Sequence, residues 1–254
     1  MVLPMQRLPG ITCQSALFLD FDGTLAELAP QPEAVRVASG LVSSLATLYE
    51  LLGGALAIVS GRRLGDIDHF LAPLGLPAAC EHGAQHRHAD GRLTGMTPDL
   101  APALEAAHAL AARHAGLRVE QKVAAIALHY RHAPALEPLC RMVLSDVVKH
   151  MPGLELLEGK CVLEIKPAGV NKGQAIEVFM AEPPFTGRQP WFAGDDVTDE
   201  AGFDVVQRLG GHGLKVGPGP SLAQHRCDSP QALREWLRFS IDQLTAENAA
   251  KKET

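Results

Sequence analysis

Four short apolar runs, each bordered by polar or glycine residues, constrain this chain more than any other feature: "ALFLDFD" at 16–22, "GALAIVSG" at 54–61, "PWFAGDD" at 190–196 and "GLKVG" at 213–217. Several lack the polar–apolar alternation of a half-exposed sheet, which is the pattern of parallel strands covered on both faces by helices. Segments of helical periodicity lie between and after them: "ASGLVSSLATLYELLG", "RLGDIDHFLAPLG", "NKGQAIEVFMAE", "TDEAGFDVVQRLGG" and "SPQALREWLRFSIDQLTAEN". Asn171, Thr198 and Ser229 stand where N-caps belong. This alternation predicts a doubly wound α/β core with a parallel sheet.

The middle of the chain breaks the pattern. From about Thr97 to Lys166 an Ala-rich helix, "PALEAAHALAARHAG", leads to the strand-like "LRVEQKVAAIALHYR", a helix near 135–150, and then "GKCVLEIKP". Its strands read as antiparallel and one-sided, so an α+β cap domain is expected at 97–166, inserted between core segments 1–96 and 167–254.

Composition narrows the function classes. Acidic and basic residues are mixed along the 254 residues, with a formal charge of -6, which offers no nucleic-acid or membrane surface. Cys13, Cys80, Cys140, Cys161 and Cys227 are odd in number and form no CxxC, which argues against a disulfide framework or structural zinc. The first residues lack the pattern of a secretory signal, and no apolar run approaches the roughly 18 residues of a membrane span. A soluble, cytoplasmic protein is the expectation.

The candidate chemistry sits at the strand ends. Asp20 and Asp22 are two residues apart, so a strand presents both on one side. Asp22-Gly23 between apolar residues is also a hairpin signal, although the prolines that follow make a pairing strand doubtful. Ser60-Gly61-Arg62 offers a hydroxyl and backbone N–H groups to an anion, or is an ordinary helix cap. Lys172 opposes the helix dipole in a first turn unless an anion lies near, or is a surface lysine. Asp195, Asp196, Asp199 and Glu200 exceed what capping needs, and an oxygen-only set suits Mg²⁺. All four groups fall at strand-to-helix junctions of one predicted sheet, where α/β proteins bind their ligands.

"DFDGT", Ser60, Lys172 and "GDDVTD" together resemble the haloacid-dehalogenase-like phosphatase superfamily. "SGR", "EHGA", "VEQK", "ALHYR", "EIKPAGVNKG" and "GDDVTDEAGF" narrow the resemblance to its trehalose-6-phosphate phosphatase family, over about residues 15–220. The resemblance implies a Rossmann-like core and a Mg²⁺-dependent hydrolysis of a sugar phosphate, the last step of trehalose biosynthesis. In that scheme Asp20 is the nucleophile that forms an aspartyl-phosphate and Asp22 the acid and base. Mg²⁺ is held by Asp20, the backbone carbonyl of Asp22 and Asp195, oriented by Asp196 or Asp199. Gly23, Thr24, Ser60, Gly61, Arg62 and Lys172 surround the phosphate.

Substrate choice is expected in the cap. Lys160, Glu164 and Lys166 share one strand face in the sequence pattern, and Glu120 and Lys122 another. Such a face suits sugar hydroxyls, as it suits plain solvation. The resemblance adds His82, Gly83 and Arg131 to the substrate contacts. One departure is Gln85, where similar bacterial sequences tend to carry an acid. His86, His88, His108, His114 and His132 read as surface or helix residues. A different sugar phosphate, or a sensor that has lost turnover, remain as alternatives, the second opposed by the retention of Asp20, Asp22, Lys172 and Asp195. The oligomeric state is left open, with a monomer compatible.

Overall fold

Each of the four apolar runs forms a buried strand of a single sheet in the computed structural model, which describes residues 8–29, 31 and 34–252. In chain order the elements are β1 (Ser15–Leu19), α1 (Leu41–Leu51), β2 (Leu56–Val59), α2 (Leu64–Leu71), β3 (Ala78–Cys80), β4 (Gln85–Arg87), β5 (Leu93–Gly95), α3 (Ala101–Arg113), β6 (Arg118–Gln121), β7 (Ile126–His129), α4 (Glu137–Val148), β8 (Leu154–Gly159), β9 (Val162–Pro167), α5 (Lys172–Met180), β10 (Gln189–Gly194), α6 (Glu200–Arg208), β11 (His212–Val216), β12 (His225–Cys227) and α7 (Pro230–Lys252).

The larger sheet runs β12-β11-β10-β1-β2-β3-β4-β5. Its strands from β12 to β3 are parallel, and β4 turns antiparallel to β3. From β1 the chain moves outward on one side through β2 and β3, and returns on the other side of β1 through β10. The strand order therefore reverses beside β1, which is where open α/β sheets bind ligands. All five residues of β1 are buried, so the absence of alternation in "SALFL" reflects cover on both faces. Phe18 stacks on Phe185 at 5.3 Å between ring centroids and meets Phe179 of α5 at 5.9 Å.

The chain divides into two compact units, residues 1–93 with 171–254, and residues 94–170. The sequence pattern placed these boundaries at 96/97 and 166/167. The smaller unit has its own antiparallel sheet, ordered β6-β7-β9-β8. Ile126, Leu128, Leu163 and Ile165 join Ala103 and Ala107 of α3 and Cys140 and Leu144 of α4 in a separate apolar core. Alternate residues of β7 and β9 enter this apolar core, while Ala127, Glu164 and Lys166 between them are buried too, so the two central strands do not show the one-sided exposure that the sequence pattern predicts.

Several local expectations change. Asp22-Gly23 is not a hairpin turn: both neighbours of β1 are parallel, and the chain folds into a tight turn in which Gly23 N–H donates to the Ala26 carbonyl at 2.8 Å. Lys160 lies in the turn between β8 and β9 with Cys161, so it does not share the β9 face of Glu164 and Lys166. Thr198 sits inside a 3-10 turn, Val197–Asp199, which Asp196 caps; Asn171 does cap α5, and the Ser229 hydroxyl accepts from Ala232 N–H. His86 and His88 are buried, not superficial. All five cysteines are free thiols. Among the described residues no helix is long and apolar enough to cross a membrane.

Phe18→Ala is expected to destabilise the larger unit by about 3–5 kcal/mol, the usual loss for a buried aromatic ring in a core that relaxes only partly. A urea titration comparing the variant with the parent chain measures it.

Candidate active site

The carboxyl ends of three adjacent parallel strands deliver the polar groups. Asp20 follows β1 directly and continues the ladder, its N–H donating to the Ala193 carbonyl at 2.9 Å. Ser60 follows β2 and Asp195 follows β10. Lys172, the first residue of α5, supplies a cation from the helix start.

These groups meet in a buried cluster. Lys172 Nζ donates to Asp20 Oδ1 at 2.8 Å and to Asp199 Oδ1 at 2.6 Å. The second Asp199 oxygen accepts from the backbone N–H groups of Asp195 and Asp196, each at 2.9 Å. Thr24 Oγ1 donates to Asp20 Oδ2 at 3.2 Å and lies 3.5 Å from Asp195 Oδ1. Oxygen atoms of Asp20, Asp195 and Asp199 come within 4.8 Å of one another.

Gly23 makes this approach possible. Its φ of +74° suits glycine, and a Cβ there would lie 2.1 Å from Asp195 Oδ2. The glycine behind the two acids thus admits a third carboxylate from across the sheet.

Negative charge outweighs positive here, and the acids show it. Burial raises Asp20 well above the usual carboxylate range; Lys172 pulls it back, while Asp199 and Asp195 push it further up. Asp195 is pushed up to about 6, first by burial and then by Asp199. Burial alone would lower Lys172, yet the Asp199 and Asp20 carboxylates outweigh it and hold the ammonium above the usual lysine range. An all-oxygen donor set with uncompensated negative charge is the chemistry that holds a hard divalent cation. Of the two acids expected to orient such an ion, Asp199 turns into the cluster, whereas Asp196 is exposed and its side chain accepts from Val197 N–H.

Asp22 has a different partner. Arg62 Nε donates to one of its oxygens at 2.6 Å and Nη2 to the other at 2.8 Å, a bidentate fork. The guanidinium also lies 4.9 Å from the centroid of Phe70 and 5.6 Å from that of Phe21, so its plane is held in place. Arg62, expected at the phosphate, thus grips Asp22. Ser60 Oγ accepts from Arg62 N–H at 3.2 Å.

The "SGR" and "EHG" segments are joined through backbone. Glu81 N–H donates to the Arg62 carbonyl at 2.9 Å, and His82 N–H to the Ser60 carbonyl at 3.0 Å. A Cβ at Gly61 would lie 2.7 Å from His82 Cε1, so glycine is needed for the imidazole to lie against the loop. Glu81 and His82 both have positive φ, and Gly83 follows at +110°.

In the smaller unit Lys122 Nζ pairs with Glu164 Oε2 at 2.8 Å, and Glu120 Oε2 meets His129 Nε2 at 2.8 Å. Lys166 is buried, its ammonium donating to Glu155 Oε1 at 2.5 Å and to the carbonyls of Val170 at 2.5 Å and Pro167 at 3.4 Å. Arg131 is exposed, and Gln85 is half-buried at the start of β4. One residue escaped the sequence reading. Lys215 of β11 is buried and donates its ammonium to the Asp195 carbonyl, beneath the acidic cluster. A lysine inside the apolar run "GLKVG" is the signal that could have marked it.

The sign of the Asp195 shift fixes a pH dependence. Between an unfolded carboxyl pKa of about 4 and the folded value of about 6, the native state holds more protons than the unfolded chain. Stability in EDTA is therefore expected to fall as pH rises through that window. Asp195→Asn is expected to remove the Asp195 part of this slope, leaving that of Asp20, and to raise the melting temperature at pH 7. Lys172→Met has the opposite effect, a loss of about 3–5 kcal/mol from stranding buried carboxylates. Thermal melts from pH 4 to 8 read both.

Comparison with known proteins gives the family. The trehalose-phosphatase family profile matches residues 18–232. The trehalose-6-phosphate phosphatase of Escherichia coli K12 is 39% identical over 245 residues, covering 94% of this chain and 91% of its own. A probable trehalose-phosphate phosphatase of Sinorhizobium fredii is 45% identical over 239 residues, 92% of this chain and 88% of its own. The crystal structure of a trehalose-6-phosphate phosphatase related protein superposes with a TM-score of 0.79 at 28% identity, covering 91% of this chain and 99% of its own. The chain belongs to the trehalose-phosphatase family, a phosphatase on the haloacid-dehalogenase-like fold.

Proposed function

We propose that this enzyme hydrolyses trehalose 6-phosphate to trehalose and phosphate through a phosphorylated Asp20. The observation that carries the reading is the placement of Asp20: a buried carboxylate at the end of β1, aimed by Lys172 and Thr24, with Asp22 two residues beyond it.

The chemistry follows from these positions. An Asp20 oxygen attacks phosphorus in line, and the bond from phosphorus to the sugar oxygen breaks. The departing oxygen takes a proton from Asp22. Water then attacks phosphorus in the acyl phosphate, giving its proton back to Asp22 and releasing Asp20. Both Asp22 oxygens accept from Arg62, so Asp22 donates only after that fork opens. A phosphate dianion is a strong competitor for the same guanidinium. Arg62 is thus proposed to pass from Asp22 to the phosphate as substrate enters, with Ser60, Gly61 and Lys172 on the remaining oxygens.

Asp20, Asp195 and the Asp22 carbonyl would hold Mg²⁺, with Asp199 positioning them. Bound there, the ion would supply neutralisation of the negative charge on the nucleophile and the phosphate. For the sugar, the proposal assigns Glu120, Lys122, Glu164 and Arg131 of the smaller unit, with His82 and Gly83 from the larger. Lys166 enters through the 167–170 segment that its ammonium holds.

The test is phosphate release from trehalose 6-phosphate beside glucose 6-phosphate and sucrose 6-phosphate, with Mg²⁺ and with EDTA. Activity on trehalose 6-phosphate, lost in EDTA, is the expected result. Equal rates on all three would leave the chemistry and remove the sugar assignment. Asp20→Asn is expected to abolish release in a folded protein. Glu164→Gln is expected to raise KM for trehalose 6-phosphate by about tenfold or more, the loss of one strong polar contact, with little change for a small generic phosphoester.

A further inference from the structure

The sheet edge opposite the acidic cluster carries two imidazoles that the phosphatase chemistry does not use. His212 begins β11 and His225 begins β12, so both lie at the amino ends of their strands. The two strands are parallel, with Leu214 opposite His225. His212 is two residues before Leu214, so it and His225 project from one face of the sheet. His212 Nδ1 and His225 Nε2 stand 3.2 Å apart, with ring planes inclined by 48°.

Behind them is an aromatic wall. The Trp191 ring lies 4.3 Å from that of His212 and 5.9 Å from that of His225, and Trp236 packs 5.1 Å from Trp191. Trp191 and Trp236 are the only two tryptophans in the chain. The wall is buried, while both imidazoles keep part of their surface in solvent.

The gap between the nitrogens fits two occupants. One is a single proton shared as N–H···N. The other is a metal ion: two nitrogens at ~2.0–2.1 Å from a tetrahedral centre stand about 3.3 Å apart. Ligation needs neutral imidazoles, and burial lowers the basicity of both rings, that of His225 further through its neighbour His212. Nitrogen donors select borderline ions such as Zn²⁺, Ni²⁺ and Cu²⁺, and disfavour Mg²⁺.

We propose that His212 and His225 form a second metal site, a two-imidazole clamp for a borderline divalent ion, chemically distinct from the oxygen cluster at Asp20. On binding, each facing nitrogen gives the ion its lone pair, and the ring that carried the shared proton takes it up again on its outer nitrogen, so both imidazoles stay neutral. The bound ion ties β12, the last strand of the sheet, to β11.

Tryptophan fluorescence reads this site, because both indoles line it. In the full chain with saturating Mg²⁺ to occupy the oxygen cluster, Cu²⁺ is expected to quench the emission with one-site saturation, and Zn²⁺ to reverse the quench. His212→Gln and His225→Gln are each expected to weaken the apparent affinity at least about tenfold, since even a ligand's supporting hydrogen bond is worth ~10–100-fold. Quenching that does not saturate, or that both folded variants retain, overturns the proposal. Anomalous scattering from crystals grown with Zn²⁺ gives an answer without substitution. A peak between the two nitrogens supports the clamp, and a metal found only elsewhere rules it out.

Discussion

The structure turns on one buried ammonium. Lys172 joins Asp20 at the end of β1 to Asp199 in the turn after β10, and so ties α5 to two adjacent strands at the reversal of strand order. Groups so deeply buried tolerate charge only when paired, and removing one partner leaves the others desolvated. The pair does not balance, however. Asp20 and Asp195 remain above the usual carboxylate range, so the cluster stores repulsion that a divalent cation or a proton relieves. The arrangement is costly for stability and suited to binding.

From that centre the other contacts take their meaning. Gly23 is small so that Asp195 can reach the turn behind Asp20. Asp199 spends one oxygen on Lys172 and the other on two backbone N–H groups, which fixes the loop that carries Asp195. Lys215 supports the same loop from the Asp195 carbonyl. Arg62 holds Asp22 outside the cluster, against Phe70 and Phe21, so the two acids of "DFD" face different surroundings although only one residue separates them. Different environments for two neighbouring carboxylates are how a site gives them different roles.

Much of this was legible in the sequence where local pattern and tertiary structure agree. β1 and β2 are covered on both faces, so their apolar runs announced them, and Asp20, Ser60 and Asp195 could be placed at strand ends. Asn171 matched its cap because capping is a local interaction. What failed to show was decided at long range. β3, β4 and β12 have three residues each, too few to carry a period, and depend on backbone pairing with neighbours. The Arg62–Asp22 fork joins residues forty positions apart, for which neither motif gives a hint. His86 is buried beside Phe179 of α5, a partner that no local window contains.

The central claim is that Asp20, and no other acid in the cluster, takes the phosphoryl group. Acid quenching of the enzyme during turnover of trehalose 6-phosphate, followed by peptide mass spectrometry, tests it most directly. The account predicts the mass of one phosphoryl group on Asp20 and on no other residue. Phosphate release with a phosphoryl group trapped on a different residue, or with Asp20 unmodified under conditions that trap acyl phosphates, would contradict it.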